Sequence, residues 1–334
     1  MLAQLLRAPG LGMAALVAAE LPGCCTADVP VRYDTRPEVR AFAGELAARR
    51  GWEPDWVLRQ LRQARLRTAS QRLMMPAPPG QPKNWHAYRD RFVEPRRIAV
   101  GSGFWRANRD ALARAEARWG VPQEIIVGIV GVETYYGRIL GDFRVLDALA
   151  TLAFDFPEGR SDRSDFFRAE LEEFLAYVRR EDLPVGAVNG SFAGAIGLPQ
   201  FMPGSLNRYA VDFDGDGRVD LTGSAADDIG SIANFLAEHG WRRGEPTHFE
   251  VEPPASQEAR AKLLAPDIVP SFSVAEFERL GARVAPEARA HEGLLALVQV
   301  DNGGDPPSHI AGTQNFYVLT RYNRSSYYAR AVIA

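Results

Sequence analysis

The sequence predicts a mainly α-helical protein with a smaller β-containing part, which is an α+β fold class. Apolar residues recur at helical spacing through much of the first 240 residues. Alternating, strand-like segments occur only in the last third of the chain. The two cysteines, Cys24 and Cys25, are adjacent, so no disulfide can join distant parts of the fold. A cysteine nucleophile or a cysteine-ligated metal in the body of the protein is excluded for the same reason.

Charge and composition exclude one class of function. Of the 334 residues, 46% are hydrophobic and 24% are charged, as in ordinary globular proteins that bury a substantial core. The 39 lysines and arginines against 42 aspartates and glutamates give a formal net charge of -3. Because no block of like charges could serve as a nucleic-acid arm, we expect no binding to nucleic acid.

Residues 1–25 are predicted to direct export. Arg7 precedes an apolar run from Leu11 to Ala18 that is too short to cross a bilayer stably. The following Leu21-Pro22-Gly23-Cys24 resembles a bacterial lipobox, which would make Cys24 the lipidated residue. A plain cleaved signal peptide is the alternative, and both interpretations export the protein. A cysteine that carries several acyl chains would anchor it stably to a membrane.

Helices account for most of the chain before residue 240. Helical periodicity covers residues 37–66 (two helices divided at Gly51), 104–119, 121–136 and 164–179. The helix at 121–136 begins with Pro122, a residue favoured in the first turn, and stops at Gly137. Residues 74–84 contain four prolines and a glycine, which predicts a surface loop.

The last third predicts a small β-containing subdomain. A further helix ends near Gly240, and strand-like segments follow at residues 247–252, 294–300 and 315–320. Between them, Ser273 and Glu276 have the spacing of a capping box, which predicts one short helix.

Glu133 interrupts the most apolar of the predicted helices. Isoleucine and valine surround the axis of that helix between residues 125 and 132, so we expect it to be buried. At about 100° per residue, Glu133 shares a stripe with Ile129 and Val130. Burial there would raise the pKa of its carboxyl group, as a general acid near neutral pH requires. The alternative is an acid at the helix end that reaches solvent or pairs with Arg138.

Several sequence blocks surround Glu133 and continue to the C-terminus. They are Asn84 to Arg89 (NWHAYR), Gly131 to Arg138 (GVETYYGR), Gly190 to Pro203 (GSFAGAIGLPQFMP), Asp212 to Gly240, and Thr320 to Asn323 (TRYN). In this order they resemble the membrane-bound lytic murein transglycosylase B family. The resemblance covers most of residues 84–334 and implies a helical, lysozyme-like core.

This resemblance implies a reaction and a role for Glu133. The reaction cleaves the β-1,4 bond between N-acetylmuramic acid and N-acetylglucosamine in peptidoglycan without hydrolysis and leaves a 1,6-anhydromuramoyl end. An ordinary glycosidase needs two carboxylates. The family's reaction needs one, because the substrate's own C6 hydroxyl is the nucleophile, so Glu133 would act first as acid and then as base.

The resemblance also implies substrate-binding residues. These are Tyr88, Ser191, Gln200, Tyr322, Asn323 and Tyr328. The tyrosines would stack on sugar rings or bind their hydroxyl groups, and the serine and glutamine would orient the glutamate and bind an acetamido group. For Ser191, turn chemistry in a glycine-rich segment is the alternative. Phe235 and Phe192 stand where the family pattern has tyrosine, and Phe235 thereby lacks the hydroxyl of one substrate contact.

An acidic loop has the spacing of an EF-hand. Asp212, Asp214 and Asp216 occupy its first, third and fifth positions, and a glycine occupies the sixth. The twelfth position holds glycine instead of glutamate, and the resemblance implies that Asp227 closes the site while Arg218 contributes a backbone carbonyl. We therefore predict structural calcium and no organic cofactor, with sodium or a metal-free acidic loop as alternatives.

The predicted organisation follows from these segments. It comprises the export segment (1–25), an N-terminal helical region (30–110), a lysozyme-like core with the calcium loop (111–245), a small β-containing subdomain (246–320) and a C-terminal segment that returns to the cleft (321–334). We expect a periplasmic protein, lipid-anchored to the outer membrane, whose partner is the peptidoglycan glycan strand. The sequence identifies no protein partner.

Two other functions fit the same residues. A hydrolytic muramidase would need a second carboxylate across the cleft, for which Asp142 and Asp162 are candidates. A non-catalytic, calcium-dependent peptidoglycan-binding lipoprotein would hold glycan strands without cutting them. The products formed from peptidoglycan distinguish the three hypotheses.

Overall fold

The computed structural model describes residues 32–76, 80 and 82–334, so the predicted export segment and Cys24 lie outside the described residues. The helices are α1 (Pro37–Arg50), α2 (Pro54–Leu61), α3 (Thr68–Met74), α4 (Trp85–Arg89), α5 (Pro95–Ala107), α6 (Arg109–Trp119), α7 (Gln123–Thr134), α8 (Val145–Phe154), α9 (Ser164–Arg180), α10 (Pro203–Tyr209), α11 (Ala225–Glu238), α12 (Gln257–Leu264), α13 (Val274–Arg279), α14 (Gln314–Tyr322) and α15 (Ser326–Ile333). The strands are β1 (Phe143–Arg144), β2 (Asn189–Gly190), β3 (His248–Glu252), β4 (Arg283–Val284), β5 (Ala296–Asn302) and β6 (Asp305–Gly312).

The described residues form two compact units. The first contains residues 80–136 and 229–334, and the second contains residues 32–79 and 137–228, apart from the few positions left undescribed. The chain passes from the first unit to the second after Tyr136 and returns within α11. The predominance of helix confirms the predicted fold class, and α1, α2, α9, β3 and β5 confirm predicted elements.

Helix α7 lies at the centre of the first unit. It packs against α5, α6 and α15, and it is buried nearly all round, as its sequence predicts. Gly128 allows the α15 backbone to approach closely, because a Cβ at this position would lie only 2.3 Å from the carbonyl oxygen of Val332. The close approach brings the first turn of α15 toward the C-terminal end of α7.

The first unit also contains a four-stranded antiparallel sheet in the order β4-β3-β6-β5. Leu297 pairs with Ala311 across β5 and β6, and both belong to an apolar cluster that includes Leu263 of α12 and Phe277 of α13. Ser273 caps α13 in the predicted capping box. The sheet and these two helices are the β-containing part that the sequence predicts.

The second unit is built around α8 and α9, which pack against each other, while α3 packs on α8 and α10 packs on α9. Asp147 of α8 is fully buried, and its carboxylate lies 3.2 Å from the Arg144 guanidinium and accepts a hydrogen bond from the backbone of Arg65. Such pairing is what a buried carboxylate requires. The strands β1 and β2 form a short antiparallel pair in this unit.

One predicted strand was wrong, and the longest strand, β6, was not predicted. Residues 315–320 are not a strand but part of α14, whose N-terminus is capped by the Thr313 side chain and whose buried Phe316 and Leu319 lie on one helical face. Strand β6 begins at Asp305, and Pro306 and Pro307 follow directly. Both prolines lie where β6 pairs with β5 alone, so the missing backbone donors are tolerated.

The helix predicted at residues 104–119 is interrupted. Asn108 adopts φ -113° and ψ 17°, and it separates α5, which already begins at Pro95, from α6. Helix α7 begins after Pro122, so that proline precedes the first turn. Among the residues that the structure describes, no helix combines the length and apolar character needed to cross a bilayer.

Candidate active site

Glu133 is the penultimate residue of α7 and has a largely apolar environment. Its neighbours Val132 and Thr134 are buried, whereas Glu133 itself retains partial exposure. Burial of the carboxyl group raises its pKa to about 7, and an interaction with the Tyr328 hydroxyl opposes this shift. A carboxyl group with this pKa can donate a proton and accept one near neutral pH.

Tyr328 faces Glu133 from α15. Its side chain is fully buried, and its backbone N–H donates to the capping oxygen of Ser325. The hydroxyl is turned toward the Glu133 carboxyl group, although within the described part of the chain it makes no hydrogen bond of full geometry. Burial and the charge of Glu133 raise the pKa of Tyr328 well above its ordinary value, so the phenol keeps its proton.

Tyr88 is a second tyrosine beside Glu133, and Tyr322 extends the aromatic group through its contact with Tyr328. Burial and the Glu133 charge raise the pKa of Tyr88 to about 12. The Tyr322 ring lies nearly parallel to the Tyr328 ring, with centroids 6.1 Å apart. Thus α4, α7, α14 and α15 bring four of the sequence-predicted residues together in the first unit.

Asn323 and Phe235 lie next in this group. Asn323 directly follows α14 as its C-cap and is 7% exposed, and its Oδ1 has no hydrogen-bond partner among the described residues. Phe235 packs edge-on against Tyr322 at 4.9 Å and stacks on His239 at 4.0 Å. Phenylalanine therefore supports Tyr322 through ring packing, which does not need the missing hydroxyl.

Ser191 and Gln200 belong to the second unit, where both take part in turns. The Ser191 hydroxyl oxygen accepts hydrogen bonds from the backbone N–H groups of Ala193 and Ala195. The Gln200 side-chain amide donates to the carbonyl oxygens of Leu140 and Gly197, and its backbone has φ 52°. The turn chemistry considered as the alternative for Ser191 is therefore present in the structure.

The backbone after Glu133 is a feature that sequence reasoning missed. Tyr135 and Tyr136 both adopt left-handed conformations, with φ 52° and 58°. The Tyr136 ring lies against two helical glycines, Gly101 of α5 and Gly131 of α7. Tyrosine is uncommon in this backbone region, so the conformation must be held by surrounding contacts. Glycines inside two adjacent amphipathic helices are the sequence signal that could have indicated such a contact.

The acidic loop brings three of its aspartates together. Carboxylate oxygens of Asp212, Asp214 and Asp227 all lie within 4.8 Å of one another. Asp216 instead accepts a hydrogen bond from the Arg218 backbone N–H. Buried Asp228, next to Asp227, has an Oδ1 with no hydrogen-bond partner among the described residues. Clustered carboxylate oxygens of this kind are ligands suited to a hard cation such as calcium.

The two candidates for a second catalytic carboxylate belong to the second unit. Asp162 accepts hydrogen bonds from the Ser164 backbone and hydroxyl at the start of α9, and these bonds lower its pKa. Asp142 is exposed. Around Glu133, the described residues that act on its pKa include no second acidic group.

Residues 34–334 match the family described as the transglycosylase SLT domain. The chain is 37% identical over 308 residues to membrane-bound lytic murein transglycosylase B of Escherichia coli (strain K12), covering 90% of this chain and 82% of that protein.

Two solved structures share the fold. The soluble lytic transglycosylase SltB1 from Pseudomonas aeruginosa superposes with a TM-score of 0.79 at 39% identity, covering 89% of this chain and 96% of that one. The Escherichia coli lytic transglycosylase Slt35 in complex with calcium gives a TM-score of 0.77 at 36% identity, covering 91% and 93% of the two chains.

Proposed function

The chain belongs to the transglycosylase SLT domain family, and on this premise we propose that Glu133 is its single acid–base catalyst. The protein is a lytic transglycosylase, an enzyme that acts on peptidoglycan. The observation that carries the proposal is a glutamate near the end of the buried helix α7 that faces the Tyr328 hydroxyl. Burial raises the pKa of its carboxyl group to about 7, and no second carboxylate among the described residues acts on that pKa.

In the first step, protonated Glu133 donates its proton to the oxygen that joins C1 of N-acetylmuramic acid to C4 of N-acetylglucosamine. The C1–O bond breaks, the N-acetylglucosamine side leaves as an alcohol, and positive charge develops at C1. The acetamido group of the muramic acid would stabilise this cation. A carboxyl group that is half protonated near pH 7 is suited to this transfer.

In the second step, the Glu133 carboxylate accepts the proton of the C6 hydroxyl of the same muramic acid. The C6 oxygen forms a bond to C1, which closes the 1,6-anhydro ring and returns Glu133 to its protonated form. Atoms balance without water, because the proton given to the leaving group is replaced by the C6 proton. Tyr88, Tyr322, Asn323 and Tyr328, which belong to the same unit as Glu133, would bind and orient the sugars. Ser191 and Gln200 of the second unit are proposed as further sugar-binding residues.

Mass spectrometry of the soluble muropeptides tests this mechanism. The protein without residues 1–25 is incubated with isolated peptidoglycan, and we expect 1,6-anhydromuramoyl products. The Glu133→Gln variant should release none, whereas Glu124→Gln, which changes an exposed acid on the same helix, should match the wild type. Reducing ends about 18 Da heavier would identify a muramidase. Wall binding without any soluble product would favour the non-catalytic lipoprotein.

We also propose a structural calcium site held by Asp212, Asp214 and Asp227, with Asp216 and the Arg218 carbonyl as further ligands. The clustered oxygens of the first three residues support it, as does the calcium complex of Slt35. Calcium would neutralise the clustered charges and fix the loop, and it would take no part in proton transfer.

Finally, we propose lipidation of Cys24 and location in the periplasm at the outer membrane. The lipobox-like segment supports this, and the Escherichia coli relative is a membrane-bound enzyme. Cells that express the full chain should incorporate labelled palmitate into it. Cys24→Ala should abolish the labelling, and the adjacent Cys25→Ala should not; the reverse pattern or equal labelling would contradict the proposal.

A further inference from the structure

We propose that Tyr136 is a positioning residue for Glu133: its ring, held between α5 and α7, fixes the left-handed turn that ends the helix carrying the acid. This inference rests on the proposed role of Glu133. Tyr136 belongs to the first unit, as do both helices that hold it.

The contact between the ring and the helices depends on two glycines. A Cβ on Gly101 of α5 would lie 2.3 Å from the Tyr136 hydroxyl oxygen, and a Cβ on Gly131 of α7 would lie 2.5 Å from the same atom. Both distances are far below ordinary contact, so only glycine leaves room for the ring at either position. Phe104 of α5 packs against the ring as well, with centroids 5.7 Å apart. The ring therefore occupies a notch formed jointly by the two helices.

The turn itself needs such support. Tyr135 donates its backbone N–H to the Gly131 carbonyl and Tyr136 donates to the Val130 carbonyl, both at 3.3 Å. These bonds satisfy the carbonyl groups at the end of the helix. The residue that adopts the left-handed conformation in such a helix end is usually glycine. With tyrosine at two successive left-handed positions, tertiary contacts must offset the backbone strain.

Helix α5 also contacts Tyr135, the first tyrosine of the turn. The Arg97 guanidinium lies 4.3 Å from the centre of the Tyr135 ring, and its Nη1 donates a hydrogen bond to the Gly131 carbonyl. Arg97 and Gly101 are one turn apart on α5. The same helix thus contacts both tyrosines and the last turn of α7.

Glu133 is separated from this turn by a single residue, Thr134. Tyr328 of α15 and Tyr88 of α4 lie close enough to the carboxyl group to interact with its charge. A rotation or unwinding of the last turn of α7 would change the distance of Glu133 from both tyrosines. A displacement of about 1 Å at a catalytic group can cost about 100-fold in rate.

The test compares variants that disturb the notch with variants that do not. Gly101→Ala places a methyl group against the Tyr136 ring, and Gly103→Ala on the same helix meets nothing within 4 Å. Tyr136→Asn removes the ring but introduces a residue that tolerates the left-handed backbone conformation. Tyr136→Phe keeps the ring and removes only the hydroxyl group. Muropeptide release gives kcat, KM and the pH profile for each variant, and thermal unfolding verifies that each is folded.

We expect Gly101→Ala and Tyr136→Asn to lower kcat by about 10-fold to 100-fold, with KM within about threefold, and to shift the basic limb of the pH profile. Gly103→Ala and Tyr136→Phe should stay within about threefold of the wild type. A folded Gly101→Ala variant with unchanged kcat and pH profile would overturn the inference, provided that Glu133→Gln is inactive. An active Glu133→Gln variant would instead overturn the proposed role of Glu133 itself.

Discussion

At the scale of single residues, Glu133 combines two properties that a surface carboxyl group does not have together. The residue keeps partial exposure, and it is surrounded by enough protein to raise the pKa of its carboxyl group to about 7. The sequence could predict this much, because an acid among isoleucines and valines on a buried helix has few ways to avoid desolvation. It could not predict that the Tyr328 hydroxyl would face the acid, since that contact depends on how α15 packs on α7.

In the proposed mechanism, the pKa of Glu133 sets the pH dependence of the reaction. Protonated Glu133 is needed for the first step, and the carboxylate needed for the second is produced by the first. We therefore expect kcat/KM to be nearly constant at low pH and to fall about tenfold per pH unit above about pH 7. Initial rates of muropeptide release between pH 5 and 9 measure this. A rate that stays constant up to pH 9 would contradict the assigned acid.

The same pKa predicts a cost in stability. Because the folded pKa of about 7 exceeds the value of about 4.3 in unfolded chains, the folded protein binds more protons between these values. Stability is lost as pH rises through this window, and the full loss is present above it. Neutral Glu133→Gln should raise Tm by about 2 °C or more at pH 8 and by little at pH 4. Exposed Glu124→Gln should give no gain at pH 8.

The Tyr328 hydroxyl is expected to tune the acid. Since its interaction with Glu133 lowers the pKa of the carboxyl group, Tyr328→Phe should raise that pKa and move the basic limb of kcat/KM to higher pH. At pH 4, where Glu133 is protonated in the folded protein, stability should not fall, because the hydroxyl lacks a full hydrogen bond in its buried position. At pH 8 the higher pKa of Glu133 should lower stability. Tyr327→Phe is the control, since the Tyr327 hydroxyl bonds to the Asp301 backbone. An unchanged profile for Tyr328→Phe would show that the hydroxyl does not act on Glu133.

At the scale of elements, the contact between α7 and α15 determines the site. Gly128 and Val332 touch at the backbone, and Tyr328 lies one turn before Val332 on α15. Any substitution that separates these helices should also separate Tyr328 from Glu133. Stability and catalysis therefore depend on the same packing.

Gly128→Ala tests that dependence. Its methyl group would meet the Val332 carbonyl oxygen, and forcing the helices apart should cost about 1–3 kcal/mol of unfolding free energy. The activity should fall together with the stability. Gly44→Ala in α1 meets nothing within 4 Å and should instead gain about 0.5–1 kcal/mol. Chemical denaturation measures both changes; equal effects of the two substitutions would contradict the close contact.

The elements also show where sequence reasoning succeeds and where it fails. Strong periodicity and a capping box predicted α9 and α13, because local signals decide these helices. Apolar and polar residues alternate over residues 315–320 as in a strand. The segment is nevertheless helical, because Thr313 caps α14 and the apolar residues are buried on one helical face. The two prolines of β6 argue against a strand in the sequence. The structure tolerates them because, at that end, β6 has β5 as its only neighbouring strand. Pairing partners are not encoded locally, which is why β6 was missed.

At the scale of the whole molecule, the described residues divide between two units that carry different chemistry. The first carries Glu133 with its tyrosines, and the second carries the acidic loop. Helix α11 includes residues of both units, with Asp227 in its first turn and Phe235 two turns later. A cation bound at the loop would therefore stabilise the first turn of α11. The same helix carries Phe235, whose ring packs against Tyr322.

Calcium should accordingly raise thermal stability without entering the chemistry. A ligand that binds only the folded state stabilises it by about 2.7 kcal/mol at 100 times its Kd, so millimolar calcium should raise Tm by a few degrees. Asp214→Asn should abolish this increase, and exposed Asp110→Asn should not. Because the proposed mechanism assigns proton transfer to Glu133 alone, a chelator should lower Tm but leave much of the activity at 25 °C. A Tm that is unchanged by calcium would contradict the proposed calcium site. If the chelator instead abolished activity without lowering Tm, calcium would take a direct part in catalysis.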